Sequence, residues 1–190
     1  VCIYFEYQLY RGNRTHKFNS EHFQAFQSPN YPTLAEAGVH IKYNKQAISP
    51  KAEKKLRVHY LLDATIAILK IFPGITQHVV EAIVQIKGLK GLIIETYGAG
   101  NASTEKWFIN CLKQAVDNGL VIFNVTQCNA GGVEQGKYET SAELEKIGII
   151  GGADITTEAA VAKFMYLIAN SDSKKEVKKL LATPLRGEMR

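Results

Sequence analysis

The sequence predicts an α/β fold: a small four-stranded parallel sheet flanked by helices in three layers, flavodoxin-like, preceded by a strand and linker remnant of a larger α/β domain. Three observations carry that expectation. From His59 onward, short apolar runs alternate with segments of helical period, the signature of a parallel sheet with crossover helices. Those runs are continuously apolar, as strands covered on both faces are. At the other end, Val1, Ile3 and Phe5 alternate with Cys2, Tyr4 and Glu6, the period of a strand. A chain that opens in mid-strand is expected to be a piece of a longer one.

Taken in order, the opening strand gives way at Phe18 to a stretch running to about Arg57 in which SPNYP and ISPK each contain proline and charge accumulates in KAEKKLR. This composition is linker-like. Strands are then expected at TIAILKI (65–71), GLIIETY (91–97), LVIFNVT (120–126) and a short IGII (147–150). Between them, ITQHVVEAIVQIKG sets Val79, Val80, Ile83 and Val84 on one stripe and stops at Gly88. The segment STEKWFINCLKQAVDNG sets Trp107, Phe108, Cys111, Leu112, Ala115 and Val116 on one stripe and stops at Gly119. Thr140 with Glu143, and Ser173 with Glu176, have capping-box spacing. A further amphipathic helix is expected over 155–170, and KKEVKKLL forms the last.

Composition removes several function classes. Hydrophobic residues at 46% and charged residues at 22% of 190 fit a folded globular chain and exclude disordered or collagen-like classes. No apolar run approaches the roughly 18 residues of a spanning helix, so no membrane partner is expected. The formal charge of +5 gathers in Lys42, Lys45, Lys51, Lys54, Lys55 and Arg57 and in Lys174, Lys175, Lys178 and Lys179. No aromatic residues are interleaved with either group, so the charge is expected to solubilise rather than to bind nucleic acid. The three cysteines, Cys2, Cys111 and Cys128, form no CxxC and have no histidine at metal-ligand spacing. Reduced thiols, a cytoplasmic setting and no structural zinc are expected.

Ligands of parallel sheets gather beyond the carboxyl ends of the strands. The loops there are FPG (72–74), GAGNAS (98–103), QCNAGGVEQGKY (127–138) and GGAD (151–154). GAGN either presents backbone N–H groups and a helix N-terminus to an anion or is a plain tight turn. Asn101 is suited to an α-amino or α-carboxylate group, or caps the helix that follows. Thr126 and Cys128 either line a small-molecule site or are a strand-end threonine and a half-buried thiol. The five histidines, His16, His22, His40, His59 and His78, all lie upstream of Cys128 in unrelated contexts, which argues against a nucleophilic cysteine. Asp154 is explained as a helix cap. RGNRT (11–15) offers two guanidinium groups for an anion or a subunit contact.

The order and wording of LYRGNRTHK, FQSPNYPTLAEAG, FPGI, ETYGAGNAS, NVTQCNAGGVEQGKY and IGIIGGADITTEAAVAK together resemble the cytoplasmic, type I L-asparaginases, in register from Val1 to Arg186. The resemblance implies a two-domain enzyme that hydrolyses L-asparagine to aspartate and ammonia through a threonine nucleophile, with no metal or organic cofactor. In that family the nucleophile sits in a TGGT motif and a second threonine and an aspartate in GTDT, with a lysine further along. These residues contain no TGG and no GTD, so no catalytic residue is assigned. The resemblance makes residues 1–17 the end of the N-terminal domain, 18–57 the linker region and 58–190 the C-terminal domain.

It also implies that C-terminal domains complete a partner subunit's site in a homo-oligomer, dimer or tetramer. The position of Asn101 would reach the α-amino end of the substrate. Some type I enzymes bind a regulatory asparagine near the loops matching Glu95, Thr126 and Cys128, which makes those three a possible effector site. Here Glu95 stands where such an enzyme has an arginine, which sets the wrong charge against an effector carboxylate. With the nucleophile motifs absent from these residues, an inactive fragment of that enzyme is expected, with a stand-alone amino-acid-binding or regulatory module as the alternative.

Overall fold

A computed structural model describes residues 1–50, 53, 55–136 and 139–190, with the side chains of Glu139 and Thr140 outside the description. Lys51, Lys54 and Lys137, and the proposed cap hydroxyl of Thr140, therefore lie outside the described groups. The chain divides into two compact units, Val1–Tyr60 and Leu61–Arg190.

The first unit is antiparallel. Strands β1 (Cys2–Phe5) and β2 (Gln8–Arg11) form a hairpin whose turn residues, Glu6 and Tyr7, both have positive φ, 46° and 66°. That pair of left-handed residues matches the twist of a two-residue hairpin. Strands β3 (His16–Lys17) and β4 (Phe26–Gln27) pair with each other. Strand β5 (Ala35–Ala37) joins β2, and β6 (Ile41–Tyr43) joins β5, giving the sheet order β1-β2-β5-β6. The linker-like stretch thus carries three short strands. Strands of two or three residues are too short to show a period, and Pro29, Pro32 and Pro50 sit in the connections where their missing N–H is harmless. The RGNRT arginines are engaged inside this unit. The guanidiniums of Arg11 and Arg14 lie 4.3 and 5.3 Å from the Tyr31 ring centre, Arg11 donates to Ser49 Oγ, and Arg14 is buried and donates to the Asn30 carbonyl.

The second unit is the predicted α/β sandwich. Its elements are β7 (Ile66–Lys70), α1 (Gln77–Val84), β8 (Gly91–Thr96), α2 (Lys106–Asp117), β9 (Val121–Thr126), α3 (Glu139–Lys146), β10 (Ile150–Gly151), α4 (Thr157–Asn170) and α5 (Lys174–Leu181). The strands lie parallel in the order β10-β9-β8-β7, with Ile68, Ile93, Phe123 and Ile150 in register. Each crossover steps to the adjacent strand in one direction, so right-handed connections bring α1, α2 and α3 to one face. The other face is left for α4 and α5.

Alternation along the strands sorts the core accordingly. Leu92, Ile94 and Ile122 pack with Val80, Phe108, Leu112 and Leu144, whereas Ile93, Val121, Phe123 and Val125 pack with Ala160, Phe164, Leu167 and Leu181. Phe123 and Phe164 meet edge to face at 6.3 Å. Full burial of such a side chain contributes about 1.5–3 kcal/mol.

Several expectations change in detail. Strand β7 is the sheet's edge and is not covered on both faces: Ile68 is 46% exposed. Helix α1 ends at Val84 rather than Gly88, and Val79 faces outward, because a helix of eight residues has one narrow buried stripe. Strand β10 lies at 150–151, later than IGII suggests. Asp154 is not a cap, since Thr156 takes that role and accepts from the Ala159 N–H. Thr140 lies within α3 instead of before it. The cap at Ser173 forms as its spacing requires, accepting from the Glu176 N–H at 3.2 Å.

Candidate functional site

The carboxyl ends of β8 and β9 bear most of the residues singled out by sequence. The loop carrying Asn101 closes on itself. Tyr97 and Asn101 exchange backbone hydrogen bonds at 2.8 Å, and the Tyr97 carbonyl also accepts from the Gly100 N–H at 3.0 Å. The N–H groups of Gly100 and Asn101 are therefore spent within the loop. Helix α2 begins only at Lys106, with Glu105 at its cap. Those two donors are unavailable to an anion and Asn101 does not cap α2, which leaves the half-buried Asn101 amide as the loop's side-chain group.

Neighbouring loops hold that turn in place. Thr126 Oγ1 donates to the Gly98 carbonyl at 2.6 Å and accepts from the Cys128 N–H at 3.0 Å. The Glu134 N–H donates to the Ala99 carbonyl, the Val133 N–H to the Ala153 carbonyl, and the Gly152 N–H to the Asn124 carbonyl. Gly132 packs so closely that a Cβ there would lie 2.4 Å from the Ala153 carbonyl oxygen, so only glycine fits. Buried Asp154 secures the GGAD loop from the other side, accepting from the Arg190 N–H at 2.7 Å and pairing with Arg190 Nε at 2.8 Å.

The sequence-predicted residues fall into two groups. Thr126 reaches the Asn101 loop, and Cys128 beside it is exposed, not half-buried. Glu95 leaves the opposite face of the sheet. Its Oε1 accepts from Thr157 Oγ1 of α4 at 2.7 Å, and its Oε2 lies 3.6 Å from Lys70 Nζ.

Three further residues of this edge escape motif reading. Gln127 Nε2 donates to the Ile71 and Glu95 carbonyls at 2.6 and 2.8 Å, strapping the ends of β7, β8 and β9 together. Thr96 and Asn124 are fully buried and joined by a 2.7 Å hydrogen bond from Thr96 Oγ1 to Asn124 Oδ1. A polar residue inside an apolar run was the available signal for Asn124, whereas Thr96, last in β8 and next to Glu95, carried none. Among the described residues no group of three metal-ligating side chains converges, and no helix is long and apolar enough to cross a membrane. A cleft of about 190 Å³, walled by Gln85, Lys90, Cys111 and Gln114, opens at the amino ends of the strands, away from Asn101.

Residues 65–181 match the family model of the glutaminase/asparaginase C-terminal domain, and residues 1–49 match that of the asparaginase N-terminal domain. The chain belongs to the asparaginase family. L-asparaginase 1 of Escherichia coli K12 is 41% identical over 189 residues, covering 100% of this chain and 56% of the relative. The 60 kDa lysophospholipase of Mus musculus is 39% identical over 191 residues, covering 100% of the chain and 34% of that protein. Among solved structures, L-asparaginase I from Vibrio cholerae superposes with a TM-score of 0.92 at 36% identity, covering 100% of this chain and 57% of that one. The chain thus spans little more than half the length of these asparaginases. The E. coli match falls on that enzyme's C-terminal portion.

Proposed function

We propose that this chain is the C-terminal portion of an L-asparaginase, which hydrolyses L-asparagine to L-aspartate and ammonia, and that it completes the substrate site and the oligomer of the intact enzyme. The observation that carries this reading is the family match running from the first unit through the second, with the Asn101 loop standing at the sheet's carboxyl edge. In this reading the Asn101 amide oxygen accepts from the α-ammonium group of asparagine, a charge-assisted bond that orients the substrate without taking part in the chemistry. The nucleophilic threonine comes from the part of the enzyme outside these residues.

Residues 1–17, together with the strands β4, β5 and β6 that pair beside them, then close the N-terminal domain, and 58–190 form the C-terminal domain. Glu95, Thr126 and Cys128 border the effector position. Three free thiols favour a cytoplasmic enzyme. A homo-oligomer is favoured by the edge strand β7 with Ile68 exposed and by the outward Phe72 and Val79 nearby.

The test is ammonia release from L-asparagine by the full-length protein and by this chain alone. Activity in the first and none in the second is expected. Hydrolysis by the purified chain itself would overturn the assignment of catalysis to the other portion. Asparagine binding by the isolated chain, seen by calorimetry, would favour a stand-alone amino-acid-binding module.

A further inference from the structure

Asn124 is the one polar side chain within β9 before its terminal threonine, flanked by Ile122, Phe123 and Val125, and it is fully buried. Such a side chain is costly in a core unless both ends of its amide are used. One end is used: Oδ1 accepts from Thr96 Oγ1 at 2.7 Å, which fixes the amide's orientation. The other end, Nδ2, has no hydrogen-bond partner among the described residues. It lies directly under the Asn101 loop, 3.4 Å from where a Cβ on Gly100 would stand.

Gly100 has φ of 108°, and a Cβ there would also come within 2.8 Å of Val133 Cγ1. Bare backbone is therefore pressed between Val133 and the Asn124 amide. The loop's other carbonyls, at Tyr97, Gly98, Ala99 and Asn101, already accept from Gly100, Thr126, Glu134 and Tyr97 respectively. Gly100 is the point of the loop at which the buried donor bears.

We propose that Asn124, oriented by Thr96, is a positioning residue that sets the Gly98–Asn101 loop and through it the Asn101 amide. This rests on the reading of Asn101 as a substrate contact, since only then does the loop's position matter for asparagine. The amide does not touch substrate. It supports the loop from below, while its own backbone carbonyl accepts from the Gly152 N–H at 2.8 Å and so ties the same strand position to the GGAD loop.

The experiment uses the full-length protein with Asn124→Leu, of similar shape, and Thr96→Val, which removes only the orienting hydroxyl and guards against a folding failure of the first. Amide hydrogen exchange reads the loop directly. Exchange at Gly100 and Asn101 should quicken by about tenfold in both variants, while the Leu92–Ile94 amides of β8 keep their protection. For asparagine hydrolysis KM should rise by about five- to tenfold with kcat nearly unchanged, as when ground-state and transition-state binding weaken together. Thr96→Ser, which keeps the hydroxyl, should restore both readouts.

Unchanged loop exchange in both variants would overturn the inference whatever the kinetics show. So would loop and β8 amides quickening equally, since that marks general destabilisation. If Asn101→Ala leaves KM unaltered, the substrate-contact reading fails by itself. If Asn101→Ala raises KM, adding Asn124→Leu should raise it no further, and a fully additive increase would show that Asn124 acts by another route.

Discussion

Lys163 of α4 and Glu188 form an ion pair at 2.8 Å with both side chains buried. The ammonium group also donates to the Leu181 and Thr183 carbonyls at 2.9 and 2.7 Å, and the Glu188 carboxylate accepts from the Leu185 and Arg186 N–H groups. This small network holds the segment after α5 against the layer of α4 and α5.

Removing one partner leaves the other buried and charged, so Lys163→Met should cost about 3–5 kcal/mol, read by urea unfolding. Pairing Lys163→Met with Glu188→Gln should cost less than the single change, because no uncompensated charge remains. Burial works to raise the Glu188 carboxyl, but the Lys163 ammonium and the backbone N–H groups overcome it and hold the carboxyl below its ordinary value. The contribution of a carboxyl so lowered is complete above the ordinary Glu value of 4.5 and is lost as pH falls through the lower folded value. Acid unfolding monitored in wild type and Glu188→Gln should show a shallower pH slope in the variant below that range.

Gly91 opens β8 against the ring of Phe164, where a Cβ would lie 2.6 Å from the nearest ring carbon. That ring is fully buried and cannot step aside. Gly91→Ala should therefore destabilise by about 1–3 kcal/mol through overpacking. The urea midpoint should recover in part when Phe164→Leu is added, and an unaltered midpoint in the single variant would show that the layer of α4 yields more readily than its packing indicates.

The three-layer half of the protein was legible because its signals are long. Strands β8 and β9 are six residues each, and α5 announces itself by a cap and a stripe. Of the antiparallel unit only β1 was, by the alternation of Val1, Ile3 and Phe5, since β5 pairs with β2 across some two dozen residues and β3 to β6, of two or three residues each, carry no period. At the site, the position of Asn101 after a strand could be read, but the closing of its loop on Tyr97 could not, because backbone pairing leaves no mark on residue type. Gln127 and Thr157 are ordinary polar residues in sequence. Their roles come from meeting Ile71 and Glu95, partners 56 and 62 residues away.

Asn101 gives the most direct test of the proposed substrate contact. In the full-length protein Asn101→Ala should lower kcat/KM for asparagine by about 1–3 kcal/mol, the scale for losing a buried polar partner. An unaltered kcat/KM would reduce Asn101 to the turn residue that bridges to Tyr97.

Regulation turns on Glu95. A free amino acid's carboxylate is held best by a guanidinium, and the resemblance sets Glu95 where an allosteric relative has that group. Two like unit charges about 4 Å apart repel by on the order of 4 kcal/mol at an effective dielectric near 20. Lys70, 3.6 Å from Glu95, brings an opposite charge, but its own side chain is 64% exposed, so solvent screens much of what it returns. Nor can the carboxylate swing away cheaply, since Thr157 holds its Oε1 at 2.7 Å on the face of the sheet opposite Thr126. The full-length enzyme should accordingly show a hyperbolic dependence of rate on asparagine, with a Hill coefficient near one that Lys70→Ala leaves in place. Steady-state kinetics across the substrate range decide the matter: a coefficient clearly above one, retained in Glu95→Gln, would show that an effector binds through contacts other than this side chain.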